Sequence, residues 1–319
     1  MFRLINQKSA IQWIILILLW GLAEYRILFD SNLIAPDGFP LLYNYLYFFT
    51  TQNKIVYAIV LSITLILTIV GLQLYFSKNK FSNKITYLPS IFYLFFLHIS
   101  GALRLLSPLF FSNLLVVCIL LINDVHKKDE KNHYLLFAGI IIGIATLIDP
   151  AMLVLFLFII VSLLINTVIT YRQIMSTLLG IIIVGIYVVS VYFLTDRLPE
   201  LISNFKEIEL FALFNEPVLL TYQKWIKLGI IVLLTIYIFI KSMLIARNKV
   251  VEFRKKIFTL ITLLIVLFSS IAITGLDPSL FSRHLIIPFA LLFALAAQYR
   301  KNWIVNEIFF VIFCVGLWL

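Results

Sequence analysis

Long uninterrupted apolar runs separated by short polar segments organise this chain from end to end. They fall at roughly 10–29, 55–76, 86–101, 108–123, 134–149, 151–170, 174–194, 225–244, 257–275, 284–299 and 303–319. A helix that crosses a bilayer needs about 20 predominantly apolar residues. A helix that is apolar on every side is buried in protein or in lipid. The pattern therefore predicts an all-α chain: a polytopic integral membrane protein with about eleven transmembrane helices, forming a single transmembrane domain over 1–319. Eleven spans use about 220 residues, so the loops are short and no separate soluble domain is expected. Arg3 and Lys8 precede the first run, which lacks a small-residue cleavage site and is too long for a signal peptide. It reads as a retained span.

Composition agrees. Hydrophobic residues make up 63% of the chain and charged residues 13%, with a mean hydropathy of +1.08. A soluble domain carries about 45–50% apolar and about 25% charged residues, so a water-soluble core is excluded, and with it a large catalytic domain outside the membrane.

The net charge of +10 would suggest nucleic acid in a soluble chain, but its placement argues for topology. Alternating sides from a cytoplasmic N-terminus puts 17 of the 25 Lys and Arg residues inside, among them Lys78, Lys80, Lys127, Lys128, Lys131, Lys249, Lys255 and Lys256. The positive-inside rule favours that orientation, with the C-terminus outside and some attraction to anionic headgroups. The expected setting is a bacterial inner membrane, with membrane lipids as partners and no nucleic acid.

The acids lie the other way. Asp30, Asp37, Asp149, Asp196, Glu200, Glu207, Glu209, Glu216 and Asp277 map to the outer side or its edge. Acids contribute little to orientation, so they are either solvated loop residues or parts of an outward-facing polar site. Three consecutive runs, 86–101, 108–123 and 134–149, are short at about 16 residues, or roughly 24 Å, against a hydrocarbon core of about 30 Å. Lysines anchor their inner ends. The shortfall predicts a recessed outer vestibule floored by 100–108, which contains Arg104, and by Asp149-Pro150; bilayer thinning or lysine snorkelling is the alternative.

Several residues near that side invite a role. Glu24 and Arg26 fall in the outer half of the first span, and Arg26 shares a helix face with Asp30 four residues on. Ionisable groups in a span usually face a bundle interior or cavity. Asp37 lies in the turn-rich Ala35-Pro36-Asp37-Gly38, where a turn-forming role is sufficient. Asp149-Pro150 and Asp277-Pro278 both suit helix starts. Arg283 and His284 can bind a phosphate through charged hydrogen bonds or anchor a span at the headgroups. The segment 198–211 has near-helical apolar spacing and reads as an interfacial helix. Cys118 and Cys314 sit in apolar runs and read as buried thiols. The histidines at 98, 126, 133 and 284 are too scattered for a metal site.

The block Leu135-Leu136-Phe137-Ala138-Gly139-Ile140-Ile141-Ile142-Gly143-Ile144-Ala145-Thr146-Leu147-Ile148-Asp149-Pro150-Ala151, after the basic turn 125–134, resembles a recurring segment of polytopic membrane glycosyltransferases of the GT-C fold. Tyr87-Leu88-Pro89-Ser90 and Ser282-Arg283-His284-Leu285-Ile286-Ile287-Pro288 look like span openings of that fold, and 85–190 resembles still more an uncharacterised bacterial integral-membrane family with the same layout. The GT-C resemblance implies a helical bundle with outer interfacial helices. It also implies inverting transfer of a sugar from a polyprenyl-phosphate-linked donor to an acceptor on the extracytoplasmic side. It places the general base at Asp30, with Asp37 second. Arg104, Arg283 and His284 would then bind the donor phosphate, and Arg26, Asp149 and Asp277 would line the vestibule. No cofactor is implied, the lipid-linked sugar being a substrate. Departures are the absence of an adjacent acidic pair in the first loop and the short chain. Small-residue helix packing alone also produces Gly-x-x-x-Gly spacing. Two other classes stay open: a non-enzymatic membrane subunit holding protein partners of an envelope assembly or secretion complex, and a transporter or flippase. The last predicts interrupted helices with midplane charges, whereas the charges here hug the outer edge.

Overall fold

The computed structural model describes residues 9–29, 54–82, 86–100, 106–125, 131–166, 169–199, 201–202, 222–247, 249–269, 278–298 and 311. Among the described residues every regular element is helical. In chain order they are α1 (Ser9–Phe29), α2 (Lys54–Lys78), α3 (Leu88–Ser100), α4 (Leu106–Val125), α5 (Lys131–Ile148), a 3-10 segment (Pro150–Val154), α6 (Leu155–Asn166), α7 (Tyr171–Leu194), α8 (Tyr222–Arg247), α9 (Val251–Ser269) and α10 (Pro278–Gln298). Two stretches, Ile55–Lys78 and Tyr171–Leu194, are long and apolar enough to cross a bilayer; the other apolar helical stretches are shorter. The runs expected to be short behave differently from one another. The first gives a helix of only 13 residues, α3, while α4 and α5 reach 20 and 18 residues. Polar flanks such as Lys131-Asn132-His133 continue the helix beyond the apolar run. Conversely, the 151–170 run yields a 3-10 segment and then a 12-residue α6. The run 303–319 apart from residue 311, most of the proposed interfacial segment 198–211, and the first loop lie outside the described residues.

α10 is the hub. It packs on α3, α4, α8 and α9, and its residues from His284 to Ala296 are all buried. Phe293 meets Phe92 and Phe96 at ring-centroid distances of 6.0 and 5.6 Å. Apolar side chains on every face leave this helix no stable position but an interior one.

Helix directions follow from the contacts. In α1 and α3, Gln12 Oε1 accepts the Tyr87 N–H at 2.7 Å, and further along Leu19 O lies 2.9 Å from His98 Nε2. Between α2 and α4, Thr68 Oγ1 donates to Asn113 Oδ1 at 2.8 Å and Asn113 Nδ2 to Thr64 O at 3.0 Å, while Gly71 faces Val116. Between α5 and α7, Ser176 Oγ donates to Asn132 O at 2.5 Å, and Gly143 faces Val184. Residue numbers rise together in each pair, so each pair is parallel. α6 and α9 are antiparallel, since Asn166 at the end of α6 meets Lys255 and Thr259 near the start of α9. α1 and α3, α2 and α4, and α5 and α7 thus share their directions pairwise, as alternation along the chain requires.

One end of the bundle is basic. Lys256 Nζ donates to Asn79 O and Lys255 Nζ to Asn166 O, both at 3.2 Å, placing ammonium groups on the C-terminal carbonyls of α2 and α6, where the helix dipole is negative. α2 closes in a Schellman motif. Phe81 N donates to Phe76 O at 3.3 Å and Lys80 N to Ser77 O at 3.0 Å, with the Phe76 and Phe81 rings 5.2 Å apart. Lys80 takes the left-handed position, φ 53°, which glycine occupies without the Cβ penalty. Lys80→Gly is therefore expected to raise stability by about 1 kcal/mol, read as a higher unfolding midpoint of the purified full chain.

The exterior is apolar in stripes. On α2, Ile55, Ile59, Ile63, Leu67 and Leu74 are exposed, and on α7 so are Leu178, Ile182, Ile186, Tyr187 and Val189. Monomers in water rarely leave continuous apolar patches of this kind uncovered.

Candidate functional site at the end opposite the lysines

α5 ends where its sequence requires. Asp149 N still donates to Ala145 O at 2.9 Å, but Pro150 has no N–H and disfavours helical backbone in the residue before it. The chain tightens into the 3-10 segment, with Met152 N donating to Asp149 O at 3.0 Å. The pair Asp149-Pro150 thus opens a helical turn as expected. The Asp149 carboxylate, however, reaches α10, where its Oδ2 lies 3.0 Å from His284 Nε2.

His284 is set into the seventh position of α10 and is 6% exposed. The Phe111 ring of α4 stands edge-on to the imidazole at 5.2 Å and 89°. Pro288, four residues on, supplies no N–H to the His284 carbonyl, so the helix is loosened at the turn that carries the histidine. The contact from Nε2 to Asp149 is oblique rather than an aligned hydrogen bond, and Nδ1 has no hydrogen-bonding partner among the described residues. The side chains of His284 and Asp149 are 8% and 21% exposed. A carboxylate at this distance favours a proton on the facing nitrogen and restricts the ring. Three helix ends, those of α4, α5 and α10, therefore meet at one polar pair, at the end of the bundle opposite Lys255 and Lys256.

Of the residues expected to act as base, bind phosphate or line the vestibule, Asp149 and His284 are the two whose side chains are described, and they are brought together. Asp30, Asp37, Arg104 and Asp277 lie outside the described residues. Arg26 and Arg283 fall within α1 and α10, but their side chains lie outside the description. His284 was expected to bind phosphate and Asp149 to line a vestibule; their mutual contact was not anticipated. No local signal could have found it, since the two stand far apart in sequence, although the Pro288 spacing marks the His284 turn as irregular.

Glu24 proves to be held inside the bundle. Trp20 Nε1 donates to its Oε1 at 3.2 Å, and Ser62 Oγ of α2 donates to the same oxygen. Tyr93 and Ser112 are buried beside the Thr64–Thr68–Asn113 clamp, where neutral polar groups join helices. Cys118 is buried, as expected. Among the described residues no three His, Cys, Asp or Glu side chains are grouped to hold a metal ion.

Among the described residues the protein is all-helical, with an exterior apolar in stripes and, at one end, an Asp–His pair whose histidine is buried. A sequence profile described as a family of unknown function, DUF6427, matches residues 38–319, and the chain belongs to that family. No curated protein and no solved structure matches it significantly.

Proposed function

We propose that the chain is a polytopic membrane protein of about eleven spans, with the lysine-rich end cytoplasmic and the Asp149–His284 end facing outward in a bacterial inner membrane. Three features support this reading: the shared directions of α1 and α3, α2 and α4, and α5 and α7, the apolar exterior stripes, and the lysine cluster at the end opposite the Asp149–His284 pair. In water, lipid-facing rows such as Ile55, Ile59 and Ile63 would be costly at about 25 cal/mol per Å² of apolar surface.

On that frame the protein works as a GT-C-type glycosyltransferase, moving a sugar from a polyprenyl-phosphate carrier to an acceptor at the outer face. The observation that carries this is the convergence of Asp149 and His284 at the end where the first loop, with Asp30 and Asp37, also emerges in the proposed topology. Arg283, next to His284 in sequence, and Arg104, just before α4, supply cations for a departing phosphate, whose charge rises in the transition state. The test uses the purified full chain in phosphatidylethanolamine–phosphatidylglycerol vesicles loaded with radiolabelled polyprenyl-phosphate monosaccharides. Release of polyprenyl phosphate with transfer of label to a membrane acceptor is expected; no release with any donor overturns the transferase reading.

The burial of His284 favours a second reading, in which the pair is a latch between α5 and α10 of a non-enzymatic membrane subunit holding envelope proteins. That reading predicts no donor turnover, and co-purification of a stoichiometric membrane partner.

A further inference from the structure

Resting on the transferase reading, we propose that His284, positioned by Asp149, is the proton acceptor for the attacking hydroxyl, a task the family resemblance would give to a first-loop carboxylate. A buried nitrogen such as Nδ1, with no hydrogen-bonding partner among the described residues, costs about 1–3 kcal/mol unless something donates to it. Nε2 has no aligned hydrogen bond either, but Asp149 Oδ2 stands 3.0 Å from it, and a carboxylate that close favours the tautomer with its hydrogen on Nε2. That leaves a lone pair on Nδ1, which is then an acceptor awaiting a donor. Phe111 stands edge-on against the ring and restricts it from turning over. Asp149 does not touch substrate; it is a positioning residue.

The donor this arrangement suits is an alcohol, presented as the hydroxyl of a lipid- or sugar-borne acceptor at the outer end of the bundle. The hydroxyl proton passes to His284 Nδ1 while the hydroxyl oxygen bonds to the anomeric carbon of the donor. The bond from that carbon to the phosphate oxygen breaks, and its electron pair leaves on polyprenyl phosphate. The imidazolium, facing Asp149, then releases its proton to water. A base placed within reach of such a hydroxyl contributes about 10²–10⁴-fold to rate.

Two measurements on the full chain in phospholipid vesicles test this and separate it from the transferase reading. Nitrogen-15 spectroscopy of selectively labelled histidine, assigned by His284→Gln, is expected to show a neutral ring protonated on Nε2 in the wild type. In Asp149→Asn it is expected to show a mixture of tautomers. A wild-type ring protonated on Nδ1 overturns the proposal without touching the transferase reading. In the release assay with polyprenyl-phosphate monosaccharides, His284→Gln is expected to lower turnover at least about 100-fold with little change in the donor concentration needed for half-saturation. Asp149→Glu should restore part of the turnover lost in Asp149→Asn. Wild-type turnover with undiminished rate in His284→Gln leaves the transferase reading standing and overturns the role of His284.

Discussion

Gly139→Leu is expected to detach α7 from the bundle. A Cβ added at Gly139 would lie 2.1 Å from the Thr177 carbonyl oxygen, and one at Gly180 would lie 2.3 Å from Leu136 O. Both obstructions are backbone atoms of a facing helix, so no side chain can rotate away to make room. Ordinary overpacking costs about 1–3 kcal/mol; here the helices must separate, and the loss should reach about 3 kcal/mol or more. The two substitutions should also behave alike, because they act on opposite sides of one crossing. The check is a cysteine pair at Asn132 and Ser176, whose side-chain and backbone contact spans the interface at 2.5 Å in the native protein. It should crosslink in the native background and fail in Gly139→Leu. Efficient crosslinking in that variant would contradict the packing described.

Asp149→Ala is the second large effect. It strips His284 of the group facing Nε2 and leaves an imidazole that is 6% exposed without its carboxylate. Burying a polar group unsatisfied costs about 1–3 kcal/mol; because the contact is oblique and the Asp149 side chain is 21% exposed, the lower part of that range applies. A double-mutant cycle with His284→Ala isolates the pair. A coupling of about 1 kcal/mol is expected, measured from unfolding midpoints of the full chain in detergent. A coupling near zero would mean that the 3.0 Å approach contributes nothing to holding α5 against α10. The same cycle should leave the Thr68–Asn113 clamp between α2 and α4 unaffected, since the two sites share no residue.

Helices were legible in the sequence because the apolar runs, even the short ones, are separated by segments that carry charge or proline. Their ends were less so. α4 and α5 overran their apolar cores because Lys131-Asn132-His133 and similar flanks sustain helix as readily as they mark a membrane edge. α6 shrank because Pro150 forces a tighter turn before the helix can begin. The Gly139–Gly143 spacing, part of the resemblance to glycosyltransferases, has a sufficient cause in the close crossing with Thr177, Gly180 and Val184, so that part of the resemblance carries less weight than its residues suggest. Asp149 and His284 were legible separately, as polar residues at the ends of runs assigned to the same side. Their pairing was not, because it is set by α10 occupying the bundle centre, and no local pattern encodes which helices become neighbours. Glu24 was visible as an ionisable residue within a span; that Trp20 and Ser62 satisfy it depends on how α1 lies against α2.

The central claim is that the polar pair faces the outside of the membrane and the lysine-rich end faces the cytoplasm. Single cysteines at Asp149 and at Lys249, in a background with Cys118 and Cys314 replaced by alanine, test it with a membrane-impermeant maleimide on intact cells. The Asp149→Cys protein should label from outside, and the Lys249→Cys protein only after the membrane is permeabilised. Labelling of Lys249→Cys from outside, with Asp149→Cys protected until permeabilisation, would contradict the account.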